Sequence, residues 1–286
     1  MAASLPTTDK SKLKNLAIRA ASAIVALVVL SVSVYFYHID ALRVFTIGAV
    51  LLGTRELVRI LFLPEESLLI KSLFFLMVIF VFVTTSLSLP YSALAFSLVS
   101  ILFFSSALWL QHRFRSITAL SVFQAKGILG FLYMGLLPGF TVNITHLQYG
   151  YGWFLGMLGF VFAGDTLAYL SGMLLGRTPL MPAISPKKTV EGALGGLIGS
   201  VLAGVALLQF YPQFPTWPVL TLAALTGLAG QMGDLFESLL KRVANKKDSG
   251  RLMPGHGGVL DRIDGVLFAS PVMLAGAILI ELSLAS

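Results

Sequence analysis

The sequence predicts an all-α, polytopic integral membrane protein with about nine transmembrane helices and a cytoplasmic N-terminus. The first observation is composition: of 286 residues, 57% are hydrophobic and 12% are charged, with a mean hydropathy of +0.89. A soluble chain carries about 25% charged residues, so this chain lacks the polar surface to face water throughout. The second observation is that the apolar residues form long runs. The third is that basic residues concentrate on alternate connections between those runs.

The apolar runs define the predicted helices, because a bilayer-spanning helix needs about 20 mostly apolar residues. The predicted segments are 16–37, 41–63, 70–89, 91–110, 117–139, 150–175, 190–211, 217–240 and 265–284. Prolines lie near several segment ends, and the proline-rich stretch 211–218 cannot continue a helix. The predicted organisation is a cytoplasmic tail at 1–15, N-terminal helices at 16–140, and a C-terminal transmembrane domain at 150–286. That last domain carries cytoplasmic loops at 176–190 and 241–264, where we expect the catalytic groups.

The charge distribution predicts the orientation. One set of connections holds Lys10, Lys12, Lys14, Lys71, Arg113, Arg115, Arg177, Lys187, Lys188, Lys241, Arg242, Lys246, Lys247, Arg251 and Arg262. The other set holds only Arg43. Positively charged loops stay in the cytoplasm, so this bias explains the net charge of +7, and we expect no nucleic-acid partner. The absence of cysteine excludes disulfides, thiolate metal sites and cysteine nucleophiles.

Acidic residues concentrate in the C-terminal half. Of thirteen Asp and Glu residues, seven lie between 165 and 264: Asp165, Glu191, Asp234, Glu237, Asp248, Asp261 and Asp264. Acids in or beside membrane helices are costly, so they usually face a bundle interior or a water-filled cavity. This concentration predicts a functional site.

Asp165 lies in the helical sequence GDTLAYLSGMLLGR. Helical spacing places Ala168, Tyr169, Gly172 and Gly176 on its side, and small residues there would let a neighbouring helix approach closely. One interpretation is a packing helix whose polar residue bonds a neighbour. The other is an acid that faces a site near the cytoplasmic end.

The stretch ISPKKTVEGALGG, residues 184–196, combines a short extended segment with the start of a glycine-rich helix. A helix N-terminus offers free backbone N–H groups and a positive dipole end. With Ser185, Lys188 and Thr189, it could form a phosphate or pyrophosphate cradle. The alternative is a positively charged cytoplasmic loop with an ordinary threonine cap.

The stretch GDLFESLLKR, residues 233–242, places Asp234, Glu237, Ser238 and Lys241 on one polar face of an apolar helix. These side chains could be helix-stabilising ion pairs at the water interface. However, charged side chains inside an apolar run have a high desolvation free energy, so we favour a functional face.

The stretch KDSGRLMPGHGGVLDRIDG, residues 247–265, is the most charged part of the chain. Its glycines permit positive φ and close approach of the backbone to a ligand. Asp261 and Asp264 share a face if the last helix begins there, and paired carboxylates suit Mg²⁺. His256 could orient a phosphate or an acid. The alternative is an ordinary basic loop, against which the interleaved aspartates argue.

Together, the four clusters carry acids for a metal and bases for phosphates, and all of them map to the cytoplasmic side. This combination predicts phosphoryl or nucleotidyl transfer onto a lipid held in the bilayer.

One pattern of 27 residues runs Ser238-Leu-Leu-Lys241-Arg242, four residues, Lys247-Asp248, then Pro254-Gly-His256-Gly257-Gly258-Val-Leu-Asp261-Arg262-Ile-Asp264. Upstream stand Asp165-Thr-Leu-Ala-Tyr169 and Ser185-Pro-Lys-Lys188-Thr189-Val-Glu191-Gly192. These patterns resemble the signature of the phosphatidate cytidylyltransferases (CDP-diacylglycerol synthases). The resemblance is strong over 150–270. In the first half, only Arg55-Glu56 invites comparison with a family acid.

The resemblance implies an enzyme of the inner (plasma) membrane that joins CTP and phosphatidate to give CDP-diacylglycerol and pyrophosphate. It implies that Asp261 and Asp264 hold Mg²⁺ and that Asp234 and Asp248 complete the cation site or orient these ligands, and it leaves a second cation open. The implied phosphate and nucleotide contacts are Asp165, Ser185, Lys188, Thr189, Glu191, Ser238, Lys241, Arg242, Lys247, His256, Gly257, Gly258 and Arg262. A homodimer is also implied.

Two alternatives remain open at this point. A related CTP-dependent nucleotidyltransferase could act on another membrane lipid phosphate, because the acyl-chain side is only apolar helix surface. An ion-coupled transporter would instead spread its acids across the bilayer depth, whereas these acids gather at one face.

Overall fold

The computed structural model describes residues 7–62, 67–250, 252 and 257–285, with side chains from residue 32 onward. Within these residues, the regular structure is helical apart from one short hairpin. Its elements are α1 (Thr7–Leu61), α2 (Leu68–Leu87), α3 (Leu89–Trp109), a 3₁₀ turn (Gln111–Arg113), α4 (Ile117–Gly130), a π-helical segment (Phe131–Leu136), α5 (Leu137–Ile144), α6 (Gly150–Leu175), β1 (Pro179–Met181), β2 (Ser185–Thr189), α7 (Val190–Phe210), α8 (Thr216–Val243) and α9 (Leu260–Ala285).

Seven helical stretches within the described residues are long and apolar enough to cross a bilayer, with α4, the π segment and α5 counted as one. They correspond to the last seven predicted segments. The first two, 16–37 and 41–63, fall in α1, which bends at His38 (φ 48°, ψ −124°). The number nine and the cytoplasmic N-terminus stay predictions.

Helices α6 and α7 pack against each other through glycines. A Cβ on Gly172 would lie 3.6 Å from the Cα of Gly192, and a Cβ on Gly192 would lie 3.0 Å from the carbonyl oxygen of Ala168. Small side chains permit this approach. The prediction that the small residues near Asp165 admit a neighbouring helix is therefore confirmed, whereas Tyr169 is 70% exposed.

Two apolar clusters fill the bundle. One is centred on aromatic rings of α2, α3, α4 and the π segment, among them Phe74, Phe103 and Phe131. The other joins α6, α8 and α9, where the ring of Trp153 stacks on Phe214 at a centroid distance of 4.3 Å. These clusters fix the helices that carry the candidate site.

Glu281, near the end of α9, bonds the start of α6. Its carboxylate accepts hydrogen bonds from the backbone N–H groups of Gln148 (3.1 Å) and Tyr149 (2.8 Å) and from the indole N–H of Trp153 (2.9 Å). A carboxylate at a helix N-terminus satisfies free N–H groups and complements the helix dipole. Helices α6 and α9 are therefore joined at the end of the bundle away from the β hairpin.

Candidate active site

Helices α8 and α9 cross in direct backbone contact, and this crossing sets their carboxylates side by side. A Cβ on Gly233 would overlap the carbonyl oxygen of Asp264, and a Cβ on Gly265 would lie 3.3 Å from the carbonyl oxygen of Gly230. Helix α9 begins at Leu260 rather than at the predicted 265. Asp264 therefore lies in the same helix three residues after Asp261, which confirms the expectation that these two aspartates share a helical face.

Lys241 links the two helices. Its Nζ forms an ion pair with Glu237 and lies 2.6 Å from Oδ1 of Asp261. The side chain of Glu237 is fully buried, and its Oε1 has no hydrogen-bond partner. A buried carboxylate needs such a cation, because an isolated buried charge is strongly destabilising. The polar face predicted on α8 therefore contains a helix-stabilising ion pair between Glu237 and Lys241, with Glu237 buried, whereas Asp234 and Ser238 are half-buried. Its functional interpretation stays a prediction.

Asp261 organises the charged loop that precedes α9. Its Oδ2 accepts hydrogen bonds from the backbone N–H of Ser249 (3.1 Å), the Ser249 hydroxyl (2.8 Å) and the Gly258 N–H (2.7 Å). Gly257 adopts φ 84°, and a Cβ there would lie 2.7 Å from the same oxygen. The expectation of positive φ in this loop is thus confirmed at Gly257.

Glu56 reaches the same loop from α1. It is 2% exposed, and its Oε2 accepts hydrogen bonds from the backbone N–H of Leu260 (2.8 Å) and the hydroxyl of Ser249 (3.2 Å). Glycines make room for it, since a Cβ on Gly250 or on Gly258 would overlap its carboxylate. Sequence analysis noted the Arg55-Glu56 pair but assigned it no role. The structure shows that α1 holds the loop.

The β hairpin docks on α8 and brings the two basic clusters together. The Nζ of Lys188 on β2 lies 2.6 Å from Oδ2 of Asp234. The guanidinium Nε–H of Arg242 donates to the carbonyl oxygen of Ile184 at 3.2 Å. Ser185 begins the same strand and is half-buried. The predicted phosphate cradle and the predicted acidic face therefore meet in space.

Thr189 and Glu191 stabilise the start of α7. The Thr189 hydroxyl oxygen accepts a hydrogen bond from the Gly192 N–H at 3.1 Å, as an ordinary N-cap does. The Glu191 carboxylate accepts from the N–H groups of Arg177 (3.1 Å) and Thr178 (3.2 Å). Both side chains hold the hairpin in place. The capping interpretation of Thr189 is confirmed, and substrate contacts of the two residues stay predictions.

Asp165 and Asp264 complete the group of carboxylates. Asp165 is exposed on α6 and interacts electrostatically with Asp234, Lys188 and Arg262. Asp264 is 9% exposed, and its Oδ1 accepts a hydrogen bond from the Gly265 N–H at 2.8 Å. Asp264 also interacts with Asp234 and Asp165. Five carboxylates from α6, α8 and α9 thus surround two lysines.

The other predicted site residues lie at the edges of this cluster. Lys247, Asp248 and Arg262 are exposed, and Ser238 is half-buried on α8. His256 lies outside the described residues, so its role stays a prediction.

Comparison with known proteins places this geometry in a family. Residues 17–279 match the model of the cytidylyltransferase family. The chain belongs to that family. The match includes every described residue of the carboxylate and lysine cluster.

Named relatives match a shorter part of this cytidylyltransferase family member. It is similar to a phosphatidate cytidylyltransferase of Synechocystis sp., with 39% identity over 178 residues, which are 52% of this chain and 60% of that protein. It is also similar to one of Staphylococcus aureus strain COL, with 40% identity over 147 residues, which are 51% of this chain and 56% of that protein. The alignments therefore span little more than half the length of these curated relatives.

Tyr133 is a residue of the π segment that sequence analysis missed. It is 1% exposed, its hydroxyl has no hydrogen-bond partner, and its ring packs edge-on against Phe236 of α8 at 5.2 Å. It interacts electrostatically with Asp264 and Glu237. In the sequence, Tyr133 lies in a run of apolar residues and cannot be distinguished from a core residue. In the structure, its place in a π-helical segment indicates a functional role, because π turns often occur at functional sites.

The carboxylates of the cluster supply the oxygen donors that magnesium prefers. Within the part of the chain that the structure describes, no group of three or more Asp, Glu or His side chains is arranged to hold a metal ion. Mg²⁺ nevertheless needs only one or two carboxylates when substrate phosphates and water supply the other ligands. Asp261 and Asp234 each hold a lysine ammonium at 2.6 Å, and Asp264 interacts electrostatically with Asp234. These residues fit an ion that is held jointly with substrate phosphates.

Proposed function

We propose that this family member is a phosphatidate cytidylyltransferase, which transfers CMP from CTP to phosphatidate and yields CDP-diacylglycerol and pyrophosphate. The observation that carries the proposal is the pair of contacts Lys188–Asp234 and Lys241–Asp261. They place two ammonium groups among five carboxylates at one end of a membrane bundle. Lysines suit phosphates and carboxylates suit divalent cations, so the cluster can accept a nucleoside triphosphate beside a lipid phosphate.

The bond changes follow from the substrates. An oxygen of the phosphatidate phosphate attacks the α-phosphorus of CTP. The bond from that phosphorus to the bridging oxygen breaks, and pyrophosphate leaves with the electron pair. The nucleophile is already ionised, so positioning and charge neutralisation supply most of the acceleration. No covalent intermediate on the chain is needed.

The residues divide this work. Lys188, Lys241, Arg242 and Lys247 bind phosphate oxygens, and the ammonium groups of the first two exchange carboxylate partners for phosphates. The hydroxyls of Ser185 and Thr189 donate further hydrogen bonds, with Asp165, Glu191, Ser238, Gly257, Gly258, His256 and Arg262 around them. Asp261 and Asp264 would hold magnesium jointly with the substrate phosphates, and Asp234 and Asp248 would complete the site or orient these ligands. A second cation belongs to the same proposal. Magnesium neutralises charge on the phosphates when bound.

The test is a reconstituted assay with purified protein, Mg²⁺, CTP and phosphatidate. We expect a CDP-lipid and one pyrophosphate for each CMP transferred. A panel of lipid phosphates that differ in backbone and chains, and of CTP, dCTP, UTP and ATP, distinguishes phosphatidate from other lipid acceptors. Active-site variants serve as negative controls. The proposal is contradicted if the unaltered protein forms no CDP-lipid, or if it uses a polyprenyl phosphate as well as phosphatidate.

The proposal also includes nine spans, a cytoplasmic N-terminus and a site on the cytoplasmic face of the plasma membrane, supported by the distribution of basic residues. Because the chain contains no cysteine, single cysteines report sidedness cleanly. An impermeant maleimide should label Gln213→Cys in intact cells and Gln111→Cys only after permeabilisation. The reverse pattern contradicts the orientation.

The homodimer implied by the resemblance is tested by crosslinking in native membranes.

A further inference from the structure

A pocket lies outside the carboxylate cluster, between α2, α3 and α4. Its volume is about 490 Å³, within the range of roughly 300–1,000 Å³ that is usual for ligand pockets. Most of its lining is apolar, and among the described residues that line it the charged ones are Arg113 and Arg115. None of the carboxylate cluster contributes to it.

Aromatic rings form a fixed floor for this pocket. Phe103 stacks on Phe123 at 5.1 Å and meets Phe74 edge-on at 6.4 Å. Glycines of α4 seat the rings, since a Cβ on Gly127 would overlap Phe103 and a Cβ on Gly130 would overlap Phe74. The rings are locked in place, so the pocket is preformed and does not depend on a flexible side chain.

Two arginines line its mouth. Arg113 and Arg115 are exposed, and neither forms an ion pair among the described residues. Phe114, between them, turns inward onto Phe123 at 5.1 Å and anchors the connection. The guanidinium groups therefore flank the opening, on the same predicted side of the membrane as the carboxylate cluster.

We propose that this pocket binds an anionic glycerophospholipid, with its phosphate at Arg113 and Arg115 and an acyl chain on the aromatic floor. Basic pockets between transmembrane helices on the cytoplasmic side bind anionic headgroups, and arginine recognises phosphate through paired N–H groups. An acyl chain matches the apolar lining. The lipid is a resident ligand and not the substrate, since its site lies apart from the cluster that the proposed reaction uses.

The lipid could also affect the loop before α9. Phe62, at the end of α1, contacts the floor at Phe74 (4.9 Å) and Phe123 (5.8 Å). The same helix end supplies Glu56 and the carbonyl oxygen of Arg59 to that loop. An occupant that steadies the floor would therefore steady the residues that hold the loop.

The test is native mass spectrometry of the full chain in detergent, titrated with phosphatidylglycerol or with phosphatidylcholine of identical chains. No CTP or magnesium is present and neither lipid is a substrate, so the result does not depend on the proposed function. We expect one phosphatidylglycerol to bind in preference to phosphatidylcholine. Arg113→Gln with Arg115→Gln should weaken that binding about tenfold or more, since each basic residue near an anionic headgroup contributes about fivefold.

Two further variants separate the pocket from general surface binding. Leu73→Trp fills the cavity from an exposed position and should also weaken binding. Arg177→Gln removes a positive charge from the connection between α6 and β1 and should leave binding unchanged. Equal binding of the two lipids, retention by the double arginine variant, or no effect of Leu73→Trp would overturn the proposal. So would a dimer that carries no phospholipid, because a second chain would then be the occupant.

Discussion

The Nζ of Lys188 lies 2.6 Å from Oδ2 of Asp234, and this ion pair joins the β hairpin to helix α8. Both side chains remain partly exposed, at 28% and 37%, so the pair contributes little to stability, about 0–1 kcal/mol. Its importance is positional, because it holds an ammonium group where a phosphate can take over from the carboxylate.

Lys188→Gln should lower kcat/KM for CTP by roughly 100-fold, comparable to the loss of one preorganised charge donor. The thermal unfolding temperature should change by less than 2 °C, as expected for a surface pair. The neighbouring Lys187→Gln, which removes an exposed charge from the same strand, is the matched control and should change kcat/KM by about threefold or less. Equal effects of the two variants would remove Lys188 from the site.

Asp261→Asn and Asp264→Asn should both abolish nearly all CDP-lipid formation but differ in loop order. Asp261 bonds Ser249 and Gly258, so its loss should release the loop, and trypsin should cut at the basic residues of 246–251. Asp264→Asn should leave the loop protected. Undiminished turnover in either variant contradicts the metal assignment, and equal proteolysis contradicts the structural role of Asp261.

Glu56→Ala should destabilise the protein by about 3 kcal/mol, because the buried N–H of Leu260 loses its acceptor and a cavity is left. The Ser249 hydroxyl keeps Asp261 as its acceptor. Glu56→Gln keeps one acceptor oxygen and should cost about half as much. Thermal unfolding in detergent with a fluorescent probe measures both. Arg55→Gln, one residue away on an exposed face, is the control. A Glu56→Ala variant as stable as the control would show that α1 does not hold the loop.

Tyr133→Phe keeps the ring and removes only the buried hydroxyl. We expect a higher Mg²⁺ concentration for half-maximal activity and about tenfold lower turnover, because Tyr133 interacts electrostatically with the carboxylates of Asp264 and Glu237. Stability should be equal or slightly greater, since an unpartnered buried hydroxyl is costly. Tyr91→Phe, an exposed tyrosine of α3, is the matched control. An unchanged Mg²⁺ dependence would make Tyr133 a packing residue only.

Gly233→Ala should separate α8 from α9, because the added Cβ overlaps the carbonyl oxygen of Asp264. We expect a loss of 3 kcal/mol or more, on the order of severe overpacking, together with loss of activity. Gly48→Ala is the control: a Cβ there meets nothing within 4 Å, and replacing a helical glycine by alanine gains about 0.5–1 kcal/mol. Comparable behaviour of the two variants would contradict the close crossing.

Hydropathy predicted the helices well, because bilayer thickness fixes their length. The predicted segment 150–175 coincides with α6, and most other ends differ by a few residues. Helix α9 begins earlier than its apolar run, at Leu260, where the buried Glu56 accepts the Leu260 N–H. That contact joins residues far apart in sequence, and a window of local hydropathy cannot detect it.

The candidate site was predicted in part. Spacing brought Asp234, Glu237 and Lys241 to one face, and it paired Asp261 with Asp264, because helical periodicity is a local property. It did not predict that Lys241 on α8 would contact Asp261 on α9, since that contact depends on the close crossing of the two helices at Gly233 and Gly265. Tyr133 was not predicted as a site residue because its sequence neighbours are uniformly apolar. The register of the π segment directs its ring toward α8, and the sequence does not show that register.

The Glu281 contact also constrains how the molecule moves. A carboxylate that fastens the last helix to the start of α6 acts as a pivot at one end of the bundle. The Lys188–Asp234 and Lys241–Asp261 contacts lie at the opposite end of the bundle. Under the proposed function, we expect a nucleotide to enter at that end, where the ammonium groups can exchange carboxylates for phosphates, while the end joined by Glu281 stays closed.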